Sequence, residues 1–349
     1  MGRDQRLGAR RRERALRRPG QGRVDLGLLQ DGGAQVRGLA LALALAAAAA
    51  APCAAFGSGD KGTSAAAFLK VPAGARAAAM GDAYGGLDGG ALGAVYNPAA
   101  LGFLEAVELS ATHDTHFQDL ASDVGVLAVP LLSLRDTRQK RSAWGAAALS
   151  VRTLGASGIE RRGVVETDAP TDTFGASDYA YGLSYGRALG AVALGGTVKL
   201  VEQSLDSARG RAAAVDGGVL WRGGAFSLGG GWRHFGQALK LGSTPDPLPF
   251  TLYGGGAWRP APGVLAAVEV RAPRDDEARV SVGGELSRQF SGFGAAVRGG
   301  WSSAGAEAEG LGGLTAGAGA TWGRFTVDFA WVPYGDLGSA YLTTVGFKF

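Results

Sequence analysis

The sequence predicts an all-β chain: a transmembrane antiparallel β-barrel of about fourteen strands, an even number in the range of membrane barrels, with an N-terminal helical and loop plug. Three observations predict it. Large apolar residues recur at every second position, as in Phe325, Val327, Phe329 and Trp331, with Thr326, Asp328 and Ala330 between them. The last segment repeats this, Tyr341, Thr343, Val345, Phe347 and Phe349 opposing Thr344, Gly346 and Lys348. Period two puts the two sets on opposite faces of a strand. The apolar face is the core of a soluble sheet or the lipid face of a barrel. The other two observations decide: connections alternate between short and long, and aromatics gather near segment ends, where interfacial girdles belong.

The chain begins with a basic extension. Residues 1–37 hold ten arginines against four acids, an excess of six, so a net charge of +4 leaves −2 for the remainder. Without its head the chain carries no basic patch for nucleic acid. Residues 38–57 read as a signal peptide: an apolar run from Gly38 to Ala51, bounded by Pro52 and small residues, short for a spanning helix and suited to a secretory core. Cleavage is expected near Ala55 or Gly57. The cationic stretch is long for a signal peptide, so the true start is expected near Val36. Cys53 is the single cysteine. It lies in this removed region, which leaves no disulfide and no thiol ligand in the exported chain.

Residues 58–105 are expected to form the plug. Ala65 to Met80 reads as a short helical piece interrupted at Pro72 and Gly74, and Gly81 to Gly102 is apolar, glycine-rich and almost uncharged. Such a stretch needs a packing partner. Asn97-Pro98 signals a turn, because proline pushes the preceding residue out of the α region.

Residues 106–349 are expected to be the barrel. Alternating segments run Val107–Thr115, Val124–Leu131, Trp144–Leu154, Tyr179–Tyr185, Val192–Leu200, Ala212–Trp221, Phe226–Phe235 and Phe250–Trp258. Val264–Arg271, Arg279–Leu286, Gly292–Trp301, Leu311–Trp322 and the two final strands complete the series. Gly223-Gly224, Pro260 to Gly263 and Gly323 are tight connections. Long ones are expected at 155–177, 203–210, 236–249 and 302–310. Lys199, Glu269, Arg271, Glu285, Arg298 and Asp328 fall opposite the apolar residues of their segments. That face is the lumen of a barrel, since a cation on the lipid face at the midplane costs about 2–4 kcal/mol. The 60 glycines with only 13 prolines and 46% hydrophobic residues suit curved strands and exclude disorder and a collagen repeat.

Phe68-Leu-Lys-Val-Pro-Ala-Gly-Ala-Arg-Ala-Ala-Ala-Met-Gly-Asp-Ala-Tyr84 and Tyr96-Asn-Pro-Ala-Ala-Leu-Gly102 resemble the N-terminal signature of the PorV/PorQ family, within the larger group of FadL-like outer-membrane barrels. Glu108 to His113, Pro247-Leu-Pro249 and Val332 to Gly338 are similar to further family positions. The resemblance spans Phe68 to Phe349. It implies an inward-folded plug whose motif residues Gly74, Arg76, Gly81, Tyr84, Asn97 and Pro98 serve structure and gating. It also implies a turn motif at Pro333, Tyr334, Gly335 and Asp336. The aromatic ending, Phe347 and Phe349, resembles the signal by which bacterial outer-membrane barrels are recognised by the barrel-assembly machinery. Partners implied are outer-membrane lipid, that machinery, and either secreted proteins with sorting domains, as in type IX secretion, or a hydrophobic ligand, as for FadL relatives.

No catalytic residue, cofactor or metal site is expected. His113 and His116 stand three apart and point to opposite faces of a strand unless it ends between them. With His234 they are the only histidines, which leaves a hydrolase few candidate bases. The glycine pairs at 85–86 and 89–90 lack a following Gly-Lys-Ser/Thr, so no phosphate loop is expected. Arg76 is expected to pair with a lumen carboxylate.

Overall fold

The computed structural model describes residues 61–349 except 89, 117–119, 132–143, 165–167 and 307–309. The basic extension and the signal-peptide region lie outside the described residues. The strands are β1 (Glu108–Thr115), β2 (Ala121–Pro130), β3 (Ala146–Arg161), β4 (Asp172–Leu189), β5 (Val192–Leu205), β6 (Ala208–Gly223), β7 (Phe226–Gly236), β8 (Leu239–Leu241) and β9 (Thr244–Asp246). They continue as β10 (Thr251–Ala261), β11 (Val264–Pro273), β12 (Arg279–Gln289), β13 (Phe293–Ser302), β14 (Leu314–Trp322), β15 (Phe325–Pro333) and β16 (Ser339–Lys348). Fourteen of these form a closed antiparallel barrel, and β8 and β9 form a separate hairpin. Closure comes from β16 lying against β1, with Phe347 opposite Leu109 and Val345 opposite Ala111. It removes both sheet edges, as hydrocarbon requires.

Burial is inverted relative to a soluble protein. On β4, Tyr179, Tyr181, Leu183 and Tyr185 are exposed while Ala180 and Ser184 are buried. On β15, Phe325, Val327 and Phe329 are exposed while Asp328 and Ala330 are buried. In water each such side chain would forgo roughly 1.5–3 kcal/mol of burial, and a lipid surround restores it. The six in-strand charges singled out above all turn inward. Lys199 and Arg271 keep 10% and 14% of their side-chain surface, and Glu269 keeps none.

Two-residue turns at 190–191, 224–225, 262–263 and 323–324 share one end with both barrel termini, with the end of β2 at Pro130 and with the start of β3 at Ala146. The opposite end carries 237–250, 274–278, 303–313 and 334–338. Two expected loops prove to be strand. β3 runs to Arg161 and β4 starts at Asp172, so most of 155–177 extends the wall, and 203–210 shrinks to a turn at Asp206-Ser207. Outside hydrocarbon both faces of a strand are wetted, and the apolar-polar alternation fades there. An exposed ion pair marks the extension, Arg161–Asp206 at 2.7 Å.

Inside the wall, residues 66–104 are almost wholly buried. They form short turns rather than a continuous helix: 3-10 turns at Ala67–Lys70 and Pro98–Phe103, and single α turns at Ala75–Ala78 and Gly93–Tyr96. The segment enters at the long-loop end, where Ala65 N donates to Pro247 O (2.9 Å). It leaves toward β1 at the short-turn end. Inward-facing glycines let its backbone touch the wall. Gly186, Gly195 and Gly218 lie side by side across β4, β5 and β6, and a Cβ on any of them would come closer than 3.0 Å to Asn97, Pro98 or Leu101. Gly283 and Gly300 pair across β12 and β13 and receive Met80 and Gly81 in the same way. Glycine inside a strand marks such close approach.

Candidate functional site

The plugged lumen is held by two tiers of charge. Toward the long-loop end, Glu269 accepts from Tyr84 N (2.9 Å), Gly85 N (2.5 Å) and Arg233 Nη2 (3.2 Å). Arg271 binds Asp82 and donates to Ser281 Oγ (3.1 Å). Asp82 also accepts from Tyr96 OH (2.5 Å), whose oxygen accepts from Ala73 N (2.9 Å). Burial, with the Asp82 charge beside it, pushes the Tyr96 phenol well above its ordinary value. Toward the short-turn end, Arg76 clasps Glu285 with two bonds (2.8 and 2.9 Å), and Arg298 bridges Glu285 (2.6 Å) and Asp328 (2.7 Å). Paired, hydrogen-bonded groups are the form in which buried charge persists. A third tie is Asp88, gripped by Arg222 (2.8 Å) and Arg259. Burial opposes the Asp88 charge, yet the Arg222 hydrogen bond and the Arg259 charge hold its carboxyl below the usual range.

A bulge shapes the upper tier. The β6–β7 register shifts between Val215 and Gly217, so Arg233 and His234 are both buried, with His234 at φ 63°. His234 N donates to Asp216 (2.8 Å), and Lys199 Nζ lies 2.8 Å from Asp216 and 2.7 Å from His234 Nδ1. Bulges re-aim side chains in this manner.

Two cavities border the plug. A cavity of about 880 Å³, reaching Arg76, Asp88, Glu108, Glu285, Ser287 and Lys348, occupies the short-turn side. A small one of about 50 Å³ lies between the plug and Arg152, Arg233 and Arg271. At the long-loop mouth the inner wall is apolar instead: Phe68 and Leu69 pack against Ala180, Val201, Ala212, Ala214 and the hairpin residue Leu239.

The expected site residues fall into three separate places. Gly74, Arg76, Gly81, Tyr84, Asn97 and Pro98 lie together within the barrel. Gly81 takes φ 65° against the carbonyls of Trp301 and Val282, the Tyr84 ring meets Tyr96 at 4.9 Å, and Asn97 Nδ2 donates to Gly85 O (2.8 Å) and Val219 O (3.2 Å). Phe347 and Phe349 meet edge to face at 4.6 Å at the short-turn end, where Phe349 N donates to Val107 O (3.0 Å). Pro333, Tyr334, Gly335 and Asp336 turn at the opposite end, with the Tyr334 ring 5.7 Å from His116. Burial and the Asp114 charge push the Tyr334 phenol up to about 12.

The histidines do not converge. His113 faces outward, 2.7 Å from Asp123 and 3.4 Å from Thr115 Oγ1. His116 turns inward, 2.8 Å from Asp114, and His234 sits in the β7 bulge. β1 is laddered on both sides from Glu108 to Thr115, which engages the backbone N–H groups an oxyanion would need beside His113. Sequence reasoning missed Arg152 and Arg233. Arg152 stands alternate to Ser150 and Leu154, so its inward position was readable from period two alone.

No family model matches the chain, and no curated protein does. Among solved structures, the barrel is similar to the CymD monoaromatic hydrocarbon channel (TM-score 0.51, 12% identity, 80% of this chain and 97% of that one). It is similar also to the toluene transporter TbuX of Ralstonia pickettii (0.50, 14%, 79% and 98%). A FadL homologue of Pseudomonas aeruginosa aligns at 0.52 and 10% identity, over 80% of this chain and 99% of that one. At these identities the likeness is one of architecture: the chain has the FadL-like fold, a fourteen-strand barrel with a short N-terminal helical segment inside.

Proposed function

We propose that the protein is a non-catalytic bacterial outer-membrane channel for small hydrophobic compounds, with residues 66–104 as the gate. One observation carries this reading. At the long-loop mouth the plug residues Phe68 and Leu69 cover an apolar patch of the inner wall, Ala180 on β4, Val201 on β5 and Ala212 and Ala214 on β6, a patch that a water-filled pore would not carry. Apolar lining with few polar groups is what small hydrophobic ligands bind. The names of CymD and TbuX, a monoaromatic hydrocarbon channel and a toluene transporter, point the same way. The test is uptake of radiolabelled toluene by cells making the protein, against cells with an empty vector. Several-fold faster uptake is expected, and equal rates count against the channel.

The PorV/PorQ resemblance supports a second reading, a shuttle for secreted proteins carrying sorting domains. Purification in mild detergent separates the two: co-eluting secreted proteins favour the shuttle, and bound apolar small molecules favour the channel. In either case the aromatic ending would serve barrel assembly. Deleting Phe349 should then reduce the heat-modifiable folded form, and normal accumulation of that form would remove Phe349 from the assembly signal.

A further inference from the structure

Arg152 is the one lumen cation of the upper tier bonded to no acid among the described residues. It projects inward from β3 with 5% of its surface exposed. Nη1 donates to Leu69 O (3.1 Å) and Nη2 to Val71 O, both carbonyls of the plug. Nε is buried and has no protein partner. The same side chain lines the cavity of about 50 Å³, whose other charged walls are Lys70, Asp82, Arg233, Arg271 and Arg279. Each of these cations has its acid: Lys70 holds Asp275 at 2.7 Å, Arg233 holds Glu269 at 3.2 Å, Arg271 binds Asp82 and Arg279 binds Asp276. Asp114 is engaged by His116 at 2.8 Å, and Lys199 by Asp216 at 2.8 Å. The cavity lining therefore holds five cations and a single carboxylate, Asp82.

Carbonyl dipoles satisfy two N–H directions of Arg152 but do not neutralise it, and the acids whose charge reaches it, Asp82 and Asp114, are bonded to Arg271 and His116 instead. A buried guanidinium with no acid bonded to it is costly. One water needs about 10–15 Å³ of such space, so the cavity has room for one small ion. The guanidinium fork matches a carboxylate edge in shape and charge.

We propose that the cavity beside Arg152 is a binding site for one monovalent anion of halide or small-carboxylate size. This goes beyond the channel reading and does not depend on it, since neutral toluene has no charge to offer.

The experiment uses the full chain in detergent, exchanged into buffer with sulfate as the only small anion. Unfolding is followed while bromide or formate is added, and crystals grown in bromide are measured for anomalous scattering. Bromide and formate should raise the midpoint in the saturating manner of a ligand bound only by the folded state, with a bromide peak beside Arg152 Nε. Arg152→Met should abolish the salt response while still giving heat-modifiable barrel. Should that variant fail to fold, the bromide peak in the unaltered protein decides. Equal midpoints in bromide and sulfate, with no anomalous peak at Arg152, overturn the site.

Discussion

Replacing Glu269 by alanine is expected to release the plug and lower stability by about 3–5 kcal/mol, the usual result of removing one partner from a buried ion pair. Glu269 has no exposed surface and takes hydrogen bonds from plug and wall alike, Tyr84 N and Gly85 N of the plug and Arg233 of the wall. Alanine strands two backbone donors, each worth about 1–3 kcal/mol when left buried and unpaired. It also leaves Arg233 without a carboxylate and takes from Arg271 a second acid 3.7 Å from its Nε. Glutamine retains one acceptor oxygen, so Glu269→Gln should fall between. Trypsin gives the readout. Arg76 is clasped by Glu285 inside the native lumen, and in Glu269→Ala the bond after Arg76 should become cleavable below the unfolding midpoint. An Arg76 that stays resistant, with an unchanged midpoint, would show that the plug does not depend on this carboxylate.

The strands were legible in the sequence wherever hydrocarbon lies outside and water or polar groups inside. Phe325 to Trp331 and Tyr179 to Tyr185 carry that contrast at every step, and their placement followed. Above the lipid the contrast disappears. Arg161, Asp172, Ser204 and Arg209 sit on real strands, but no periodicity marks them, and 155–177 and 203–210 therefore read as loops. The lumen was half legible. Alternation sends Glu269, Arg271, Glu285, Arg298 and Asp328 inward, but the choice of Glu285 for Arg76 depends on the relative register of plug and wall, which local pattern does not encode. The β7 bulge was not legible at all. On a regular strand Arg233 and His234 must face opposite ways, and only the shift opposite Asp216 turns both inward.

The glycine floor under the plug, Gly186, Gly195 and Gly218, lends itself to the sharpest comparison of two adjacent positions. A Cβ on Gly195 would come closer than 3.0 Å to backbone atoms of Pro98 and Ala99. Backbone has no rotamer with which to move aside, and forcing extra carbons into packed space costs about 1–3 kcal/mol or more. The wall at this point is laddered on both sides, Gly195 opposite Gly186 and Gly218, and lipid supports its outer face. The plug is held by a smaller set of contacts, so in Gly195→Val the plug should yield and the barrel persist. The expected product is a heat-modifiable barrel with the bond after Arg76 open to trypsin and a steady ion conductance in planar bilayers, where the unaltered protein is expected to show none. Gly196 points the other way. It is exposed on the outer face, and a Cβ there meets only Asp216 O at 3.5 Å, an ordinary contact. Valine is at home on a lipid-facing strand, so Gly196→Val should match the unaltered protein in conductance, trypsin resistance and unfolding midpoint. Equal behaviour of the two variants would mean that the floor does not seat the plug, because one residue along a strand is the difference between its two faces.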